Sequence, residues 1–270
     1  MQETQQNTKK DKTMIKRTLT LVGAYLLCML PLQAISDNHA QTHFLETIPM
    51  KMHEGRDYTD MMATKGALAK FLEAGNAKYS VYILVPWAVN KGALPIGQDW
   101  DVIWLGISPS IKDYSNTVDY YLENGASIDA VYAGMRSFDT RSTSMGKTIF
   151  QGPQAEPQPN RVVLLRTCQL NKNKNMGSVE SALNNMASSL NNAGSKGTSH
   201  IWMPGAGSAP GFENSFFTVR TFPSVSDWGD SFTAYTEGDF SKEQKAVENA
   251  ATCGAPRMYL SNPLYVADID

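Results

Sequence analysis

Few residues in this 270-residue chain are of types that do chemistry in small constellations; it has four histidines and three cysteines. His200 stands in an alternating segment with Trp202, where a neutral imidazole could take up a proton. Arg166 and Arg220 stand in apolar segments, RVVLLRTCQ and FFTVRTF. The planar fork of a guanidinium there could hold a carboxylate or phosphate. Glu46, Tyr82 and Trp104 also fall on strand-like segments. Aromatic side chains with a few convergent polar groups describe a small-molecule pocket. In the competing reading, Arg166, Arg220 and Glu46 pair with one another and the aromatics fill a dry core. No GxSxG elbow occurs, and no CxxC or Cys/His cluster that would indicate metal. His43 and His53 are isolated. Gly205, Ala206 and Gly207, with Gly211, resemble a phosphate loop only superficially. No helix follows them, so they read as a hairpin connection.

The elements that must position these side chains come in two sets. The first has strand-like Thr42 to Met50, a helical pattern from Asp57 to Ala74 stopped by Gly75, and strands at Tyr79 to Val89 and Trp100 to Ile107. Helical segments follow from Ile111 to Leu122 and from Ile128 to Met135, then a short strand, Lys147 to Gln151. Residues 153–160, with Pro153, Pro157 and Pro159, read as a linker. The second set has a strand at Arg161 to Gln169, a helix at Val179 to Leu190 stopped by Gly194, and strands at His200 to Met203 and Phe216 to Phe222. Helices at Val225 to Tyr235 and Ser241 to Ala250 and a strand at Arg257 to Leu260 close it. Each half is strand, helix, strand, strand, helix, strand. Pro109-Ser110-Ile111-Lys112-Asp113-Tyr114 recurs 114 residues later as Pro223-Ser224-Val225-Ser226-Asp227-Trp228. Ser110 with Asp113, and Ser224 with Asp227, have capping-box spacing, which accounts for the motif without catalysis.

The N-terminus predicts export. Lys9, Lys10, Lys12, Lys16 and Arg17 precede an uncharged run of 14 residues, Leu19 to Leu32. That matches a signal-peptide hydrophobic region and falls short of the roughly 20 apolar residues that span a bilayer. Residues 1–34 read as a signal peptide with a polar extension before Met14, cleaved after Ala34, with Ala40 as the second choice. Cys28 does not fit a lipoprotein site, because bulky Leu27 precedes it. The expected location is periplasmic or secreted, with no membrane span in the mature chain. Net charge is −2 and charged residues make up 19%. The mature part carries no basic stripe, so nucleic acid is not an expected partner. Cys168 and Cys253 remain after cleavage, and an isolated pair in an oxidising compartment is most simply a disulfide.

A strand, then Ser, then an aromatic-rich helix inside a βαββαβ unit resembles the dimeric α/β-barrel superfamily. Its members include antibiotic-biosynthesis monooxygenases, NIPSNAP-type proteins and, as tandem units in one chain, chlorite dismutases. The resemblance covers about Thr42 to Leu260 and rests on element order. It implies an α+β fold: two tandem ferredoxin-like βαββαβ units, 41–152 and 161–266, packing sheet to sheet as an intrachain α/β barrel. Helices would lie outside and a cavity between the sheets. First and last strands are antiparallel neighbours in such a unit, which would place Cys168 beside Cys253. Tandem chlorite dismutases ligate haem from a helical His in their second half. Here the only second-half His, His200, lies on a strand, so no cofactor is expected. Since one chain supplies both units, a monomer or a homodimer follows.

On that fold, strand alternation sorts the candidate residues. Placing the more apolar face against the helices puts Ile103, Leu105, Ile107, Phe217, Val219 and Thr221 there, with Val81, Ile83, Val85, Val163 and Leu165. Glu46, Tyr82, Trp104, Arg166, His200, Trp202 and Arg220 then line the space between the sheets. A one-residue slip inverts the list. The expected function is binding of a small aromatic or anionic molecule there. Cofactor-independent, monooxygenase-like oxidation or isomerisation would use His200 as base and the arginines as anion holders. The other expectation is a non-catalytic structural or interaction protein of the envelope, and between the two the sequence does not decide whether the chain is an enzyme.

Overall fold

A computed structural model describes residues 41–89, 100–153, 158–208, 212 and 214–268. The expected signal peptide, the segment Lys91 to Gln98, Gly211 and the middle of the linker lie outside these residues. The first half holds β1 (Thr42–Met52), α1 (Tyr58–Ala63), α2 (Lys65–Ala74), β2 (Ser80–Ala88), β3 (Val102–Ser108), α3 (Ile111–Asn124), α4 (Ala126–Ala133), β4 (Arg136–Ser137) and β5 (Ser142–Phe150). The second holds β6 (Arg161–Leu170), α5 (Met176–Asn192), β7 (Thr198–Pro204), β8 (Ser215–Phe222), α6 (Val225–Glu237), α7 (Ser241–Ala250), β9 (Ala251–Cys253) and β10 (Arg257–Tyr265).

Eight strands run in the order β10-β2-β3-β1-β5-β7-β8-β6, and β6 pairs with β10 to close the ring. Every pairing is antiparallel. Closure leaves no free edge on these eight strands. The first half contributes β2-β3-β1-β5 and the second β7-β8-β6-β10, the same order from the same sequence of elements. The halves meet at two seams, β5 on β7 and β10 on β2. The two short strands are also placed alike, β4 beside β1 and β9 beside β6.

Local chemistry sets the helix starts. Ser110 Oγ accepts from the Asp113 amide and donates to its carboxylate at 2.6 Å, and Ser224 does the same with Asp227 at 2.7 Å. The recurring motif is therefore a pair of caps. The helix expected from Asp57 to Ala74 is broken at Thr64. The Thr64 hydroxyl bonds Met61 O and the Tyr132 hydroxyl, which pins that turn to α4. The strand expected at Lys147 to Gln151 starts earlier, at Ser142, because Ser and Thr rather than apolar residues face inward there.

Seven buried side chains from seven strands meet inside the barrel: Leu45, Leu84, Leu105, Val163, Trp202, Val219 and Tyr259. Outside, Ile48, Val81, Ile83 and Trp104 pack under α1 to α4 with Met61, Leu68, Leu72 and Tyr132. Ile201 and Phe216 pack under α5 and α7 with Val179, Ala182 and Ala250. This corrects several assigned faces. Ile103, Leu105, Ile107, Phe217, Val219, Val163 and Leu165 point to the barrel axis, and Thr221, paired with Val163, shares their side. Glu46, Trp104, Arg166 and Arg220 lie on the outer face, under the helices. The cause is that a closed barrel wrapped in helices buries both faces of its strands. Val102-Ile103-Trp104-Leu105 is apolar throughout, so polarity does not mark its inner side. On β2 and β7 the alternation is clean, and Tyr82, Leu84, His200 and Trp202 point inward.

One close approach is testable. The Tyr79 ring crosses Gly106, where an added Cβ would lie 1.9 Å from its hydroxyl. Tyr79 is fully buried among fixed neighbours, so Gly106→Ala is expected to cost about 3 kcal/mol through overpacking. Denaturant unfolding measures this; an unchanged midpoint would show that the ring has room to move.

Candidate ligand-binding site

The outer layers of the two halves are built on equivalent positions and filled differently. In the first half the Glu46 carboxylate is buried and takes three donors: the Tyr79 hydroxyl at 2.5 Å, the Tyr114 hydroxyl at 2.8 Å and Arg141 Nε at 3.3 Å. The Tyr79 hydroxyl in turn accepts from Trp104 Nε1 at 2.8 Å. Burial pushes both tyrosine hydroxyls well above their ordinary range, and the neighbouring carboxylate adds to it. Glu46 is thus satisfied within its own half, and the space beside it is small, about 80 Å³.

In the second half two residues exchange roles. Across the β-ladders Arg220 stands where the first half has Gly106, and Leu164 where it has Glu46. Gly197 takes the place of Tyr79. An added Cβ at Gly197 would lie 2.8 Å from Arg220 Nη2. The large polar side chain has moved from the strand entry to the neighbouring strand, and the glycine has moved the other way. The guanidinium lies over the Phe222 ring at 4.9 Å and donates from Nη2 to Ser195 Oγ at 3.2 Å. A longer contact, 3.5 Å, runs to Ser231 Oγ. Its Nε is buried with no partner. Among the described residues no carboxylate lies within ion-pair distance of Arg220 or Arg166. Burial, and secondarily Arg166, pushes the Arg220 guanidinium down to about 10.

Both arginines line a cavity of about 490 Å³ between this sheet and α5, α6 and α7. Leu164, Leu183, Met186, Leu190, Phe222, Trp228 and Phe232 make its apolar wall. Arg166 is exposed and marks the mouth, while Arg220 is the half-buried charge further in. At the rim the Tyr235 hydroxyl donates to Gln244, whose amide donates to Glu248. The site can hold an anionic group on a guanidinium inside a low-dielectric, aromatic-walled space, where a charge-assisted hydrogen bond is strong.

The barrel interior places His200 in a different setting. Its ring meets His43 edge-on with centroids 5.8 Å apart, and its Nδ1 lies 3.0 Å from Thr148 Oγ1. Gly146 makes the space, since a Cβ there would lie 2.1 Å from His43 Nε2. Burial, then His43 and Arg161, push His200 down to about 3. So weak a base is poorly matched to proton abstraction at neutral pH.

The structure therefore brings together Arg166 and Arg220, while the His200 side chain points to the other face of the sheet, inside the barrel. It separates them from Glu46 and Trp104, which form the first-half network, and from Tyr82 and Trp202, which pack inside the barrel. Sequence reasoning missed Tyr79, Tyr114, Ser195, Gly197 and His43. The 118-residue offset that aligns Tyr82 with His200 also aligns Tyr79 with Gly197 and exposes the exchange. Cys168 and Cys253 are bonded, directly opposite each other on β6 and β9. The helices over the cavity carry no histidine, so the residues present do not fit haem ligation from a helical His.

No family model matches the chain, and no curated protein matches it. Solved structures do. A candidate monooxygenase from Fusobacterium nucleatum is 10% identical, with 84% of this chain and 95% of that one covered and a TM-score of 0.50. A candidate chlorite dismutase is 12% identical over 84% and 97%, with a TM-score of 0.46. A chlorite dismutase variant from Candidatus Nitrospira defluvii in complex with cyanide is 6% identical over 82% and 91%, with a TM-score of 0.48. At such identities the likeness is one of fold alone, a closed antiparallel barrel of eight strands with helices outside.

Proposed function

We propose that this chain is an exported binding protein for a small organic anion with an aromatic or apolar body, held between the second-half sheet and α5, α6 and α7. The observation that carries this is Arg220, a half-buried guanidinium without a carboxylate partner on the wall of a 490 Å³ apolar cavity. Desolvating a cation without a counter-charge is costly, and a bound carboxylate would offset that cost. Arg166 at the mouth would attract the anion on approach. The interior of the barrel, where the ligand was first expected, holds a contiguous apolar cluster instead.

Three further parts rest on other features. The basic stretch and the 14-residue apolar run support export to the periplasm or beyond. The repeated strand order and the 114-residue recurrence support two tandem ferredoxin-like units. Closure of the barrel within one chain supports a monomer, since neither seam needs a second copy.

The test is a thermal-shift and calorimetric screen of residues 35–270 against naphthalene carboxylates, 8-anilinonaphthalene-1-sulfonate and inorganic phosphate. A ligand at a hundred times its dissociation constant adds about 2.7 kcal/mol of stability. Arg220→Leu is expected to weaken binding at least about tenfold, the worth of one charge-assisted hydrogen bond. Equal binding to Arg220→Leu, or no binding by any of the compounds, would sink this site and favour the structural, non-catalytic reading.

A further inference from the structure

The small cavity of the first half is lined by a guanidinium whose buried Nε has no hydrogen-bond partner, that of Arg136. Its lining includes two acids and two cations: Glu46, Asp129, Arg136 and Arg141. Glu46 is taken by Arg141 and the two tyrosines described above. Asp129 accepts from the Tyr121 hydroxyl at 2.7 Å. Arg136 is left without a carboxylate within ion-pair distance among the described residues. Its position is fixed by the backbone, because β4 pairs Arg136 with Met52 of β1. Its guanidinium carbon lies 4.9 Å from the Tyr132 ring centre and 5.0 Å from that of Phe138. Aromatic rings pack on the face of a guanidinium, so its hydrogen-bonding edge stays available. Yet its Nε is buried and has no partner.

A buried donor left without an acceptor is costly, and more so where the group is charged. A cavity of about 80 Å³ adjoins it, against about 10–15 Å³ of the same kind of space needed for one water. That is room for a planar anion of three or four heavy atoms. The guanidinium edge offers two parallel N–H bonds, the geometry that matches a carboxylate or a planar oxyanion.

We infer that Arg136 is a second anion site, holding a small planar oxyanion of the size of formate, acetate or nitrate. It does not depend on the site in the second half. Burial lowers the basicity of Arg136, while Tyr132, Tyr121 and Asp129 act the other way.

The experiment follows the Arg136 Nε–H resonance in nitrogen-15-labelled protein, assigned by its disappearance in Arg136→Lys. Titration with sodium formate, with sodium chloride at matched ionic strength as the control, is expected to shift that resonance saturably in the millimolar range. The same titration of Arg220→Leu should give the same curve. In Arg136→Met, formate-dependent thermal stabilisation should fall at least about tenfold. A resonance that moves equally with chloride, or stays still with formate, acetate and nitrate alike, overturns the site in favour of a bound water. A response lost in Arg220→Leu overturns it by assigning the anion to the other half.

Discussion

Between pH 6.5 and pH 3 the barrel is expected to lose stability steadily, with His200 as a principal cause. In the folded chain His200 is pushed down to about 3, against an ordinary value of 6.5. Below pH 6.5 the unfolded chain takes up a proton on this residue that the folded chain refuses. The stability is therefore fully present above pH 6.5 and is lost as pH falls toward 3. Each unit of separation is worth about 1.4 kcal/mol, so about 3 kcal/mol is gone by pH 4.5 and about 4 kcal/mol by pH 3, where the folded-state imidazole is itself half protonated. His43 is pushed down as well, chiefly by burial, and adds in the same direction. The effect falls on one of the seams between the halves, because Thr148 of β5 and His200 of β7 are direct partners there. Carboxylates also titrate in this range, so the informative quantity is a difference. His200→Asn keeps a polar atom near Thr148 and cannot take a proton. Its urea midpoint should fall less than that of the wild type between pH 7 and pH 4.5. Parallel declines would show that the imidazole is not desolvated.

The two halves share an order of elements and differ in what fills their outer layers. Both present the same strand order, the same Ser-capped helix and a helix-covered outer face. In the first half Tyr79, Trp104, Tyr114 and Arg141 converge on Glu46, and little space remains. In the second, Thr218 stands in the place of Trp104 and Leu164 in that of Glu46. The bulk that filled the layer is gone while one long cation, Arg220, remains. A cavity with a charge in it follows from these few exchanges without any change in the backbone plan.

The element order and the caps were legible because each depends on local spacing. The Ser110 and Ser224 caps follow from residues three apart, and β2 and β7 show their faces because Tyr82 and His200 interrupt apolar neighbours. Which face of β3, β6 and β8 meets the helices was not legible. Val102 to Leu105 is apolar on both sides, and Val163 and Leu165 suit a barrel core as well as a helix layer. Closure of the sheet removes the solvent-facing side from which register is usually read. The arginines were recognised as anion holders from their type and apolar surroundings, while the cavity they line depended on that unreadable register. Tyr79 and Gly106 were overlooked because a glycine within a strand announces a close approach without saying what approaches. The partner lies 27 residues earlier in sequence and meets it only across the ladder.

Removing the Cys168–Cys253 bond is expected to be the other large change. The two residues are separated by 85 positions, and the chain between them forms α5, β7, β8, α6 and α7, the whole cover of the larger cavity. Cross-linking a loop of that length restricts the unfolded chain by about 4 kcal/mol on the chain-entropy account. For a domain of this size that corresponds to a fall of about 10 °C in melting temperature. Cys168→Ala with Cys253→Ala together avoids leaving a lone thiol, and its melting point at neutral pH is the measurement. Cys168 is buried two residues beyond Arg166 on the same strand face, and β9 continues directly from α7. The double variant should therefore also bind the organic anion more weakly, through a looser α7 rather than a lost contact. A fall of the expected size would mean that the second half reaches full stability only where thiols oxidise, which ties the fold to an exported location. An unchanged melting point would mean that the β6–β9 hydrogen bonds and the apolar packing of Val179, Ala250 and Ala251 hold α7 unaided, and the cysteine pair would then say nothing about where the protein works.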